Sequence, residues 1–374
     1  MTRAELAAYL ALACVGLYAT SFGPALPFFS REFGVSLDTA GLLITALFAG
    51  SISASAATVV RLHRLDQRAL CAAGLGGVTA GLLLMGLAPS FALPLAGGVV
   101  LGLGDGLVVA GSHGLIAHTS PDVPRDINRL NVAFAGGALL GPLWAGAVLE
   151  ASGDVEIVYA GLAVVALAAA GVMYTAPAPP AHVDDHDEGF TLGLGPLAWV
   201  MAAVLFLYVG AEVGLGTWVS SYAEAAAGAG VMAGAAITAG YWGALGAGRL
   251  LTGVLLSRGH DPGAVLLGAI AAAGLASVVL AASGSVIVAG GLAAFAAGLF
   301  FGPIWPIAIA IAFRGAPRNA PATMVTIGNA GGILFPWLQG FVLVTAGAQE
   351  GVLLTAALCA AMLALAGWAR VRFR

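Results

Sequence analysis

Twelve runs of predominantly apolar residues, each near 20 residues or longer, recur along this 374-residue chain with short polar breaks between them. A bilayer's hydrocarbon core is about 30 Å thick and takes about 20 helical residues to cross. Backbone groups in lipid must find their partners within the protein, which restricts spanning segments to helices and closed barrels. These runs are continuous rather than alternating, which selects helices. They fall at 5–29, 40–60, 69–89, 92–118, 128–150, 157–176, 196–223, 231–257, 263–283, 285–313, 320–346 and 350–369. A soluble alternative is excluded, because only 9% of residues are charged, against roughly 25% in soluble domains. The expected fold class is all-α integral membrane, with twelve transmembrane helices in two six-helix bundles.

The breaks carry the charge. TAPAPPAHVDDHDEG, residues 175–189, is both proline-rich and acidic and reads as a flexible linker. It divides the chain into an N-terminal bundle at 1–176, a cytoplasmic linker at 177–195 and a C-terminal bundle at 196–374. Its HVDDHDE run is a solvated charge run. All 14 basic residues are arginine. With the N-terminus inside, Arg61, Arg64 and Arg68 follow the second run, and Arg125 and Arg129 the fourth. Arg249, Arg258, Arg314 and Arg318 lie at later even-numbered exits, and Arg370, Arg372 and Arg374 end the chain. Only Arg31 falls outside, so the positive-inside rule places both termini in the cytoplasm of a multi-pass cell-membrane protein. The first run has no small-residue cleavage site before Pro24 and Pro27 and is expected to stay as a helix. Cys14, Cys71 and Cys359 lack paired spacing and read as apolar packing residues.

The halves repeat at an offset of about 194 residues: LLGPLWAG (139–146) lies over ILFPWLQG (333–340), Gly16 over Gly210 and Arg64 over Arg258. A parallel repeat of six-helix halves is a recurrent architecture of secondary transporters.

Two acids interrupt the apolar runs, Asp105 in the fourth and Glu212 in the seventh. Charge at the bilayer centre costs at least about 2.5–3.5 kcal/mol, so such an acid marks function by default. It can hold a proton in one state and ionise when water reaches it; the plain alternative is a protonated acid bonded to a neighbouring helix. His113 shares a helix face with Asp105 through Val109. At 1.5 Å per residue the two stand about 12 Å apart, within reach of a water-linked relay; a histidine bonded to a backbone carbonyl is the equal alternative. Glu212, Asp105 and His113 form the expected proton-coupling set. Arg249 is expected to snorkel to the interface, and Asn131 to cap a helix.

A site for a small polar solute needs a few polar groups and flat aromatic faces. Tyr18, Phe22, Trp218, Tyr222, Tyr241, Trp242, Trp305 and Asn329 are the expected substrate-binding residues. Each aromatic also suits packing or an interfacial belt. The prolines of GPLWAG and FPWLQG read as hinges. LGLGDG (101–106) follows no strand and is not a nucleotide loop.

YVGAEVGLGTWVSSY, YWGALGAGRLLTG, FFGPIWPIAIA, LNVAFAGGALLGPLWAG and GNAGGILFPWLQG resemble the major facilitator superfamily, and within it the fucose–glucose–galactose proton symporter-like branch. The resemblance implies the major facilitator fold, a central cavity, alternating access and a membrane acid that couples protons to sugar. Two features depart from the branch pattern. Its acid lies further along the fourth span, followed one turn later by a sugar-contacting asparagine; here Val109 and His113 occupy those places. VVRLHRLDQR is a poor version of the superfamily's glycine–aspartate–arginine signature.

The expected function is proton-coupled secondary transport of a small polar solute, a hexose-like sugar, with Glu212 the leading coupling group. The alternatives are a proton-driven exporter of amphipathic compounds and a non-transporting receptor or scaffold. No nucleophile-and-base set, zinc spacing or nucleotide-binding domain is present, so the chain is not expected to be an enzyme. No cofactor, metal or nucleic-acid partner is expected; the coupling ion is H⁺, with Na⁺ the alternative, the partners are solute and bilayer, and the chain is expected to act as a monomer.

Overall fold

The computed structural model describes residues 2–58, 65–177, 193–313 and 320–373. Among these residues the regular elements are helices and no strand occurs. In chain order they are α1 (Arg3–Phe33), α2 (Leu37–Ala40), α3 (Leu42–Ala57), α4 (Gln67–Gly86), α5 (Ala92–Thr119), α6 (Val123–Ser152) and α7 (Val155–Thr175). There follow α8 (Pro196–Ala227), α9 (Val231–Ser257), α10 (Pro262–Ala282), α11 (Ile287–Phe301), α12 (Ile304–Ala312), α13 (Ala320–Thr345) and α14 (Ala348–Arg372). Eleven spans are long and apolar enough to cross a membrane, taking α2 with α3 and α11 with α12. The 27-residue α9, which carries Arg249, supplies the twelfth.

The charged breaks double as helix caps. Asp66, Asp122, Asp154 and Asp261 each accept a backbone N–H at the start of α4, α6, α7 and α10, satisfying a donor the helix itself cannot. Thr2 and Glu5 form a reciprocal box at the start of α1. Asn131, expected as a cap, instead sits exposed well inside α6, whose N-cap is Asp122. The run at 285–313 is two helices rather than one. Pro303 has no N–H to continue the ladder, and the chain restarts as α12 beyond it.

The chain forms two compact units. The first comprises Met1–Val35 and Leu42–Gly189, with α4 packed on α5 and α7, α1 on α6, and α3 on α5. The second comprises Ser36–Gly41 and Phe190–Arg374, with α8 packed on α13 and α14, α9 on α11, and α10 on α11 and α14. The unit limit falls inside the expected linker, of which 178–192 lie outside the described residues, as do Arg61, Arg64, Arg314, Arg318 and Arg374. Ser36–Gly41 departs from the expected division: although it belongs to the first half of the sequence, it packs within the second unit, α2 against α13.

The repeat is visible inside each unit. In the first, Gly137 on α6 lies against the backbone of Ala13 and Leu17 on α1; in the second, Gly331 on α13 lies against that of Phe206 and Gly210 on α8. Gly137 and Gly331 stand at the 194-residue offset. In lipid there is no hydrophobic drive between helices, so small residues that let backbones touch supply the adhesion.

Candidate functional site

Besides Glu5 and Asp126, which are buried near the starts of α1 and α6, each unit buries one carboxylate in the middle of a span, Asp105 and Glu212, in different surroundings. In the first unit, Asp105 on α5 is 8% exposed. Its Oδ1 accepts from the Tyr18 hydroxyl on α1 at 2.6 Å, and its Oδ2 from the Ser51 hydroxyl on α3 at 2.7 Å. Gly102 and Gly106, on either side of Asp105 in sequence, lie against the backbone of α3 at Leu47 and Ser51. That close approach brings Ser51 onto the acid, and it is the physical role of the LGLGDG stretch. Among the described residues no cation pairs with Asp105, so hydroxyls alone hold it. His113 does not join them: its Nδ1 bonds the Val109 carbonyl at 2.8 Å, the plain alternative for that residue.

In the second unit, Glu212 on α8 meets Arg249 on α9, Nη2 to Oε1 at 3.1 Å. The expectation that Arg249 snorkels to the interface is corrected here: an α9 that packs along α8 places the guanidinium on the acid, where each charge offsets the desolvation of the other. The Tyr241 hydroxyl donates to the Glu212 carbonyl at 2.8 Å. Tyr208, one turn before Glu212, stands beside both charges and packs against Trp305 at 6.0 Å between ring centroids. Trp242 lies edge-on to Tyr241 at 5.3 Å. The Tyr208 hydroxyl, Arg249 Nε and Trp242 Nε1 are buried and have no hydrogen-bond partner among the described residues.

Three of the other expected solute residues face protein partners. Trp218 is fully buried, its ring against Gly41 and Gly340 and its Nε1 donating to the Pro336 carbonyl at 2.6 Å. The Tyr222 hydroxyl donates to the Leu280 carbonyl at 2.7 Å. Phe22 is buried edge-on to Tyr159 at 5.8 Å. Asn329 is half-buried on α13 with no side-chain hydrogen bond among the described residues. Sequence reasoning missed Ser51, Tyr208 and Gln339, the last bonded to Thr355 on α14 at 2.8 Å. Only Tyr208 carried a local signal, its i−4 spacing from Glu212. A hollow of about 630 Å³ in the second unit lies away from these groups, at the ends of α8, α10, α12 and α14, beside the Asp261–Arg370 ion pair.

The family model of the Major Facilitator Superfamily matches residues 8–330. The chain belongs to that superfamily. The fold agrees: the E. coli fucose:proton symporter FucP superposes with a TM-score of 0.67 at 18% identity, covering 98% of this chain and 97% of that one. The nucleoside transporter NupG gives 0.78 at 13% identity, covering 98% of each chain. A Saccharomyces cerevisiae protein, "Bypass of stop codon protein 6", is 29% identical over 172 residues. That match covers 43% of this chain and spans only 35% of the yeast protein. As a member of this superfamily the chain is an integral multi-pass membrane protein with the fold of transporters rather than enzymes.

Proposed function

We propose that this superfamily member is a secondary active transporter that moves a small polar solute, hexose-like in size and hydroxyl content, together with protons by alternating access. Both termini are cytoplasmic in this reading, which the excess of arginines at the even-numbered exits supports. The observation that carries it is Asp105, buried at mid-helix and held by two hydroxyls with no cation among the described residues. A neutral acid there donates to one hydroxyl and accepts from the other; an ionised one accepts from both. Either protonation state is therefore accommodated without rebuilding the site. Glu212 is the second proton site, its ionised form held by Arg249. A fucose:proton symporter and a nucleoside transporter share this fold, and both of those named solutes are small and polar.

The test is uptake into proteoliposomes of a panel of hexoses and related polyols, with and without an inward proton gradient. Wild type concentrates its solute uphill only with the gradient. Asp105→Asn loses uphill accumulation but keeps solute–solute exchange. Undiminished uphill uptake by Asp105→Asn contradicts the assignment.

A further inference from the structure

The second unit holds a feature that proton coupling alone leaves unexplained: a membrane-embedded guanidinium with donors to spare. Arg249 gives only Nη2 to Glu212, at 3.1 Å. Its Nε belongs to the same edge of the guanidinium and has no partner among the described residues, and neither does the neighbouring Tyr208 hydroxyl or Trp242 Nε1. The Arg249 side chain is 28% exposed, whereas that of Glu212 is 8% exposed. The cation is thus the more accessible member of the pair, and half of one edge is unused. An Arg edge of two parallel donors matches the two oxygens of a carboxylate.

We propose that the transported solute carries a carboxylate, making it a sugar acid rather than a neutral sugar. The solute carboxylate takes Arg249 from Glu212 as Glu212 takes up a proton. This rests on the reading of Glu212 as a proton site given above. The exchange balances: one proton passes from water to a Glu212 Oε atom, the Glu212–Arg249 contact opens, and the solute oxygens accept from Arg249 Nε and Nη2. The Tyr208 hydroxyl and Trp242 N–H stand beside the incoming group as further donors.

Charge conservation makes the coupling obligatory. The empty pair is neutral, Arg⁺ with Glu⁻, and so is the loaded one, Arg⁺ with the solute carboxylate beside a protonated Glu212. A proton alone, or the anion alone, leaves an uncompensated buried charge, which is strongly unfavourable. The titratable and charged groups facing Glu212 are Tyr208 on its own helix and Tyr241 and Arg249 on α9, with Cys359 on α14 behind Tyr241. Gln339 approaches from α13 at Gly214 and carries no charge. No second acid in this set competes for the proton.

The experiment compares glucuronate and gluconate with glucose, by calorimetric binding to the purified chain at several pH values and by proteoliposome uptake at clamped membrane potentials. In wild type the two acids bind in preference to glucose, and their Kd rises by up to tenfold per pH unit as Glu212 ceases to be protonated, because one proton at Glu212 accompanies each anion bound at Arg249. Glu212→Gln binds the acids with a pH-independent Kd, and Arg249→Gln loses them. With the Asp105 proton counted beside that of Glu212, acid uptake by wild type moves one net positive charge and is driven by an inside-negative potential, a readout that needs no variant to fold. Wild-type binding that is flat with pH overturns the proposal, as does acid uptake that carries a net negative charge inward, or Glu212→Gln that stays pH-dependent. Proton-driven uptake of glucose but of neither acid overturns the sugar-acid assignment and leaves Glu212 as a proton site. Absence of proton-driven uptake of all three solutes overturns both readings.

Discussion

Two adjacent glycines on α6 are expected to respond to the same substitution with opposite signs. A methyl at Gly137 would meet the Ala13 carbonyl and the Leu17 amide of α1, both rigid backbone, and only separation of the helices relieves the overlap. Overpacking costs about 1–3 kcal/mol, and with backbone as the obstacle the upper part of that range, about 2–3, applies. Alanine recovers about 1 kcal/mol over glycine in helix propensity, which leaves Gly137→Ala destabilised by about 1–2 kcal/mol. Gly136 has no atom within 4 Å of a built methyl, so Gly136→Ala keeps only the gain of about 1 kcal/mol. The two variants then differ by about 2–3 kcal/mol, or about 4–12 °C in Tm at about 2–4 °C per kcal/mol for a unit of this size. Gly331→Ala, the repeat equivalent of Gly137→Ala on α13, should fall with it. Thermal unfolding in detergent, followed by tryptophan fluorescence, measures all three. Shifts of the same sign at Gly136 and Gly137, or an indifferent Gly331→Ala, would refute the packing argument.

Three further outcomes are expected. Tyr18→Phe and Ser51→Ala each remove one hydroxyl from Asp105. A hydrogen bond to a charged group contributes about 1.5–3 kcal/mol, so uphill accumulation in proteoliposomes should fall at least about tenfold in each; unchanged accumulation would remove the hydroxyls from the mechanism. His113→Gln should leave proton-driven uptake intact, since that ring is tied to its own helix at Val109; loss of coupling in a folded variant would restore a relay role. In a double-mutant cycle, Glu212→Gln and Arg249→Gln should each cost about 3–5 kcal/mol of stability. The double variant should cost less than their sum by about 0.5–3 kcal/mol, and additive costs would deny the ion pair.

The architecture was legible because the bilayer imposes length and apolarity on every span, and the recurring offset tied the halves together. Both acids were found for the same reason: a carboxylate in an apolar run has no ordinary explanation. What stayed hidden were the partners, because pairing across helices depends on which faces meet. Arg249 illustrates this. Its position near the end of a run suggested escape to the interface, and only the packing of α9 along α8 shows it turned onto Glu212. Ser51 was one of three serines at alternate positions, Ser51, Ser53 and Ser55, and the approach of α3 to the glycines flanking Asp105 singles it out. Trp218 and Tyr222 looked like solute contacts by residue type, yet their polar atoms are taken by the Pro336 and Leu280 carbonyls. The break at Pro303 was written in the sequence, but an apolar run long enough for one span masked it.

Proton movement during transport bears most directly on the role given to the buried acids. Proteoliposomes in weakly buffered medium, with no imposed gradient, are given solute while the external pH is recorded. Solute entry should draw protons with it and turn the medium alkaline in wild type, and Asp105→Asn, still exchanging solute, should give no pH change. Solute entry into wild-type vesicles without any change in pH would show that these carboxylates do not carry the coupling proton, and an equal change in wild type and Asp105→Asn would take that role from Asp105.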